Sequence, residues 1–217
     1  MPDRMLITFG IEGDLCCLSH RETLTMWQRI LIRCRLPLVF SAGFNPRPRL
    51  SLPLPRAVGI QSDQELLCAQ VRTDAEPIDC GALSEQIRRL LPEGCTLSRV
   101  EWSAGRCPAA QEAAYEFRRG SAISEQYWTG RIGCCRRQLA SGEPILLKRQ
   151  SPKHASKTVD LRNYIMELNG NQSDLRIRCR IDSTGTARPE ELLEWLVMPA
   201  ADLAEPPRRT GVVWIQN

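Results

Sequence analysis

The side chains able to do chemistry in this chain fall into a few small groups. His20 stands directly behind Ser19, and Glu22 completes an S-x-x-E capping box in which each side chain satisfies the other's orphan amide. At a helix start the free amides and the positive dipole end favour an anion and disfavour imidazolium. A neutral His20 there is placed to act as a general base beside a phosphate or hydroxyl; the plainer role is a capping-region histidine hydrogen-bonded to backbone. The second group is Gly43-Phe44-Asn45-Pro46-Arg47-Pro48-Arg49. Glycine frees the backbone, the prolines stiffen it, and the two arginines alternate on an extended stretch. Phe44 either pins the connector into the core, which is the favoured reading, or stacks on a base. Phe44, Asn45, Arg47 and Arg49 are therefore candidate contacts for nucleic acid or a partner.

A third group lies in LRIRCRI, where strand alternation puts Leu175, Ile177, Cys179 and Ile181 on one face and Arg176, Arg178 and Arg180 on the other. Such a stripe suits phosphates; as an ordinary solvated face it would need acidic neighbours on adjacent strands. Asp160 and Arg162 share a face if VDLRNYI is extended, and so could pair or hold a ligand together. Glu190 and Glu191 follow Pro189 in a first helical turn, where acids complement the dipole. Cys16, Cys17 and His20 are close in sequence, but no C-x-x-C pair exists, so no metal site is expected. His154 reads as loop surface.

Composition narrows the classes. With 42% hydrophobic and 25% charged residues the chain is globular, and no segment has the length to span a bilayer. Ten scattered cysteines without a secretion signal read as reduced thiols of a cytoplasmic protein. The net charge is only +4, but Lys148, Lys153 and Lys157 are the only lysines, so 26 of the 29 basic residues are arginine. Arginine forks fit phosphates and stack on bases; a GC-rich genome would give the same bias.

The elements that must position these groups follow from periodicity. Residues 5–11 read as a strand, followed by the capped helix with Leu24, Trp27, Leu31 and Cys34 inward. A second strand begins at residues 38–40, a third covers 65–72, a helix 79–91 and a fourth strand 96–102. After a small, polar linker at 103–113, strands at 115–118, 145–149, 175–181 and 211–215 alternate with helices at 121–139 and 189–197. The expected fold class is α+β, two tandem ferredoxin-like βαββαβ units with antiparallel sheets, occupying residues 1–104 and 113–217.

The L-S-H helix start at 18–20, the G-F-N-P-x-P loop at 43–48, D-L-R at 160–162 and R-P-E-E-L-L at 188–193 together resemble the radical SAM-linked family of bacterial domains of unknown function. The resemblance implies an accessory protein without catalytic activity or cofactor, acting in trans with a radical SAM protein and binding RNA (tRNA or rRNA). It adds Arg188 to Asp160 and Arg162 as binding candidates. The C-x-x-x-C-x-x-C triplet of radical SAM enzymes is absent. Two enzymatic alternatives stand beside this. In outline the tandem fold is similar to the repeat-associated CRISPR RNA endonucleases, which would make His20 the catalytic residue of a metal-independent nuclease. Arg72-Thr73-Asp74-Ala75 resembles the R-T-D-A core of one tRNA pseudouridine synthase family, without the residues that flank it there.

Overall fold

The computed structural model describes residues 3–72, 78–149 and 156–215. The fold is α+β. It divides into two compact units, residues 1–110 with 214–217, and residues 111–213.

In the first unit the elements run β1 (Asp3–Ile11), α1 (His20–Arg33), β2 (Leu50–Ser51), β3 (Gln61–Val71), α2 (Cys80–Arg88) and β4 (Cys95–Ala104). The sheet order is β4-β1-β3-β2, every pairing antiparallel. Strand alternation sends Met5, Ile7 and Phe9 of β1 toward the helices, where Phe9 meets Trp27 edge-on with ring centroids 4.7 Å apart. Leu6, Leu66 and Cys68 point to the opposite face and are buried as well. The capping box forms as read: Glu22 Oε2 accepts from the Ser19 amide at 2.9 Å and hydroxyl at 2.6 Å, while the Glu22 amide donates back to Ser19 Oγ. Trp27 and Leu31 are buried, and Leu24 and Cys34 partly so, on the expected helix face. The helix ends when Arg35 turns to φ 54° and the Leu36 amide donates back to the Leu31 carbonyl. That turn, unusual for a residue with a side chain, launches the connector toward β3.

The second unit is built from β5 (Ala109–Arg118), α3 (Glu125–Ser141), β6 (Leu146–Arg149), β7 (Lys157–Asp160), β8 (Ile165–Gly170), β9 (Asp174–Arg180), α4 (Pro189–Leu196) and β10 (Arg208–Ile215). Its strand order is β10-β5-β9-β8. Phe117, Trp128, Ile132, Leu175, Ile177, Leu192 and Leu196 form its buried interior.

Two sequence expectations need correction. The strand at 145–149 is no member of the main sheet; β6 pairs with β7 as a separate hairpin, and β8 takes the place beside β9. A short apolar run does not carry the identity of its partner. The supposed linker at 103–113 is mostly strand, because β4 reaches Ala104 and β5 begins at Ala109, leaving only residues 105–108 as connector. Its small residues are compatible with pairing as well as with a loop.

Candidate nucleic-acid interface

The connector after α1 folds back on itself as an arm. Its base is tied to β3: Leu38 bridges Val71, the Val39 amide donates to the Gln70 carbonyl at 2.9 Å, and the Gln70 amide donates to the Arg49 carbonyl at 3.0 Å. Farther out the two sides of the arm hold each other. The Arg49 amide donates to the Val39 carbonyl at 2.8 Å, Phe40 bridges Pro48, and the Ser41 amide donates to the Arg47 carbonyl at 2.8 Å. The Arg47 amide donates to Ser41 Oγ at 3.0 Å, which closes the tip. Residues 42–46 protrude beyond that closure, and Gly43 sits at φ 117°, a conformation that favours glycine.

Phe44 is the residue the tip displays. Its relative exposure is 104%, so it does not anchor the connector in the core. Backbone hydrogen bonds and Leu36, Leu38 and Leu52, all buried, perform that task instead. Asn45, Arg47 and Arg49 are exposed beside it, and neither arginine has an ion pair among the described residues. Phe40, 46% exposed, adds a second aromatic ring to the arm.

The inner end of the connector depends on a residue whose role sequence reasoning missed. Arg56 is buried, and its Nη1 donates to the carbonyls of Cys16 and Ile60, each at 2.6 Å, while Nη2 reaches the Leu18 carbonyl at 3.0 Å. A planar fork with five donors suits this. The guanidinium ties the short helical turn before α1 to the end of the connector. The clue in the sequence was an arginine flanked by Pro55 and Ala57 in an otherwise apolar stretch.

The β9 arginines tell a different story. The alternation is as expected, with Leu175, Ile177 and Cys179 buried and Arg176, Arg178 and Arg180 exposed. Acids on both neighbouring strands meet them. Arg176 pairs with Glu116 at 3.2 Å, and Arg178 lies between Glu112 at 3.7 Å and Glu167 at 3.3 Å. Glu112 also stands in register with Arg180, and Arg118 on the same patch contacts Glu116 and Asp174. The face is a mixed-charge lattice rather than a bare positive stripe.

Elsewhere the candidates hold the fold. Asp160 and Arg162 are not joined by their side chains: Asp160 Oδ1 accepts from the Ile145 and Arg162 amides at 2.8 and 3.1 Å, and Arg162 Nη1 donates to the Leu139 carbonyl near the end of α3. Arg188 gives its amide to Glu191 Oε2 at 2.9 Å, and its guanidinium lies 3.8 Å from Glu190. Glu191 does more than complement a dipole. It is 5% exposed and forms a forked pair with Arg149, at 2.5 and 2.8 Å, while Arg149 Nη2 also reaches the Thr186 carbonyl. His20 is exposed on the first turn of α1, and its side chain makes no hydrogen bond among the described residues. His154 and residues 73–75 of the R-T-D-A match lie outside the described residues.

Eight cysteines are free, but Cys68 and Cys107 form a disulfide, contrary to the expectation of ten thiols. They are 39 residues apart, and only the fold brings them together. Burial pushes the Cys95 thiol up to about 12 and the Cys135 thiol to about 11, leaving both unreactive at neutral pH. Among the described residues no group of three His, Cys, Asp or Glu side chains could hold a metal ion. Among the same residues no helix is long and apolar enough to cross a membrane.

A family profile described as "Uncharacterized protein conserved in bacteria (DUF2344)" matches residues 4–191. The chain belongs to this family. The matched region contains His20, the whole arm, the β9 arginines and both ends of the Arg149–Glu191 pair. No curated protein matches the sequence. Among solved structures, one chain of a Cbf5-Nop10-Gar1 complex is similar at 10% identity and a TM-score of 0.42, with 96% of this chain and 48% of that chain covered. This chain thus spans about half the length of that one.

Proposed function

We propose that this DUF2344 chain is a cytoplasmic, non-enzymatic accessory protein that binds RNA through its arm and acts with a radical SAM enzyme. The observation that carries the reading is Phe44, fully exposed on a tip whose flanks are closed by backbone hydrogen bonds. A large apolar ring held in water on an ordered loop points to a contact surface. An aromatic ring beside two guanidinium groups that meet no acid among the described residues matches what single-stranded RNA offers, namely base faces and phosphates. The strand orders β4-β1-β3-β2 and β10-β5-β9-β8 support reading each unit as ferredoxin-like. The radical SAM partnership is supported by the resemblance of the four sequence motifs.

The test is binding of the purified chain to labelled tRNA and rRNA fragments across a salt series, with Arg47→Ala/Arg49→Ala and Phe44→Ala beside it. Binding that both variants weaken supports the arm. Absence of binding at low salt removes RNA from the proposal and makes a pulldown of the radical SAM protein the deciding experiment. His20, exposed and without a side-chain hydrogen bond among the described residues, favours one second reading, a metal-independent RNA endonuclease. Cleavage of RNA by the purified chain, abolished in His20→Ala, would establish that reading in place of the first.

A further inference from the structure

The Cys68–Cys107 pair connects two segments that matter to the arm. Cys68 lies on β3, 1% exposed, in register with Ser51 of β2, the strand at the root of the arm. Cys107 is half-buried in the 105–108 connector between β4 and β5. Their Cα atoms are 6.2 Å apart, inside the span of about 4.4–6.8 Å that disulfides occupy. Ser51 Oγ lies 3.8 Å from Cys107 Sγ, so the connector's sulfur rests against the arm's root. The connector is also tied by the bond from Arg4 Nε to the Gly105 carbonyl at 2.6 Å. β2 itself is only two residues long. An element this short has little pairing of its own, so a covalent bond beside it has leverage over how the arm is held.

We propose that Cys68 and Cys107 are a reversible redox site that braces the root of the arm when oxidised and releases the 105–108 connector when reduced. The oxidant is a low-molecular-weight disulfide. The more accessible Cys107, as thiolate, attacks one of its sulfurs and expels a first thiol. The Cys68 thiolate then attacks Cys107 Sγ in the mixed disulfide and expels the second. The two cysteines lose two electrons, the external disulfide becomes two thiols, and the protons from the cysteines end on those thiols. The larger, helix-side core of the first unit, built on Trp27, Phe9 and Leu67, involves neither sulfur, and both cysteines belong to the smaller cluster of Leu6 and Leu66 on the other sheet face, so reduction loosens the root without unfolding the unit.

The experiment equilibrates the full chain in a series of reduced and oxidised glutathione mixtures, maps thiols by alkylation and peptide mass spectrometry, and follows hydrogen exchange. Cys107→Ser is the test variant, and Cys17→Ser, which replaces an exposed free thiol, is the control. The expected result is one reversible two-electron transition that yields the 68–107 crosslink. Exchange at residues 48–52 and 105–110 should be about tenfold faster in the reduced form, with β1 unchanged. Cys107→Ser should match the reduced form in every mixture, and Cys17→Ser should match the parent. The proposal is overturned if no 68–107 crosslink forms in any mixture, or if exchange at those segments is the same in both forms.

Discussion

Arg47 and Arg49 on the arm have the same two-residue spacing as Arg176 and Arg178 on β9, yet the two pairs live in opposite electrostatic settings. The β9 arginines have Glu112, Glu116 and Glu167 on the strands to either side, whereas the arm touches β3 at its base and its outer part is held by its own return, and its guanidinium groups meet no acid among the described residues. A sheet supplies lateral neighbours and therefore counterions; a protruding loop does not. Counting arginines in a sequence thus overstates the charge a protein can offer a polyanion. What matters is which arginines the fold leaves without an acid.

The largest effect tests the claim that the second unit uses its arginines internally. Glu191→Ala leaves the half-buried Arg149 guanidinium without its carboxylate, and loss of about 3 kcal/mol in urea denaturation is expected. Replacing both partners, Arg149→Met with Glu191→Leu, should recover most of it. Next comes the arm. Arg47→Ala/Arg49→Ala should lower the salt dependence of RNA binding, log K against log salt, by about 1.4 if each contacts one phosphate of a single strand. Phe44→Ala should cost about 1–3 kcal/mol of binding if one base stacks there, yet change folding stability by no more than about 0.5 kcal/mol. A core anchor would cost about 3–5 kcal/mol in the same denaturation experiment.

Smaller still is the effect of alanine at Arg176, Arg178 and Arg180. The salt slope should not change, and each exposed pair lost should cost at most about 1 kcal/mol. A flattened slope in this variant would erase the distinction between the two regions. The smallest effect concerns the capping box that starts the helix before the arm. Hydrogen bonds from Ser19 hold the Glu22 carboxyl below its ordinary value of 4.5. A depressed folded-state value means that the stabilisation is complete above about pH 4.5 and is lost as pH falls through the lowered value. In Ser19→Ala, acid titration of stability should lose that component.

Much of this was legible in residue patterns. The capping box, the inward face of α1 and the alternation of β9 depend on neighbours three, four or two residues away, which a sequence displays directly. What was hidden depends on distant partners. Nothing near Arg56 announces that carbonyls about 40 residues earlier in the chain will receive it, and nothing near Cys68 announces Cys107. Phe44 was misjudged for a related reason. An apolar residue in a long connector reads as an anchor until the backbone closure between Ser41 and Arg47 shows that the anchoring lies elsewhere.

Arg56 carries one further implication. Its guanidinium grips carbonyls from Cys16 and Leu18 ahead of α1 and from Ile60 beyond the arm, so one side chain spans the two ends of the segment that contains the tip. A peptide bond severed between Gly43 and Phe44 would leave both fragments fastened at their far ends and paired to β3 along the near ones. Limited proteolysis at the tip should therefore yield a nicked protein that migrates as two pieces in denaturant but as one in native buffer, which makes the tip a place to graft a foreign peptide.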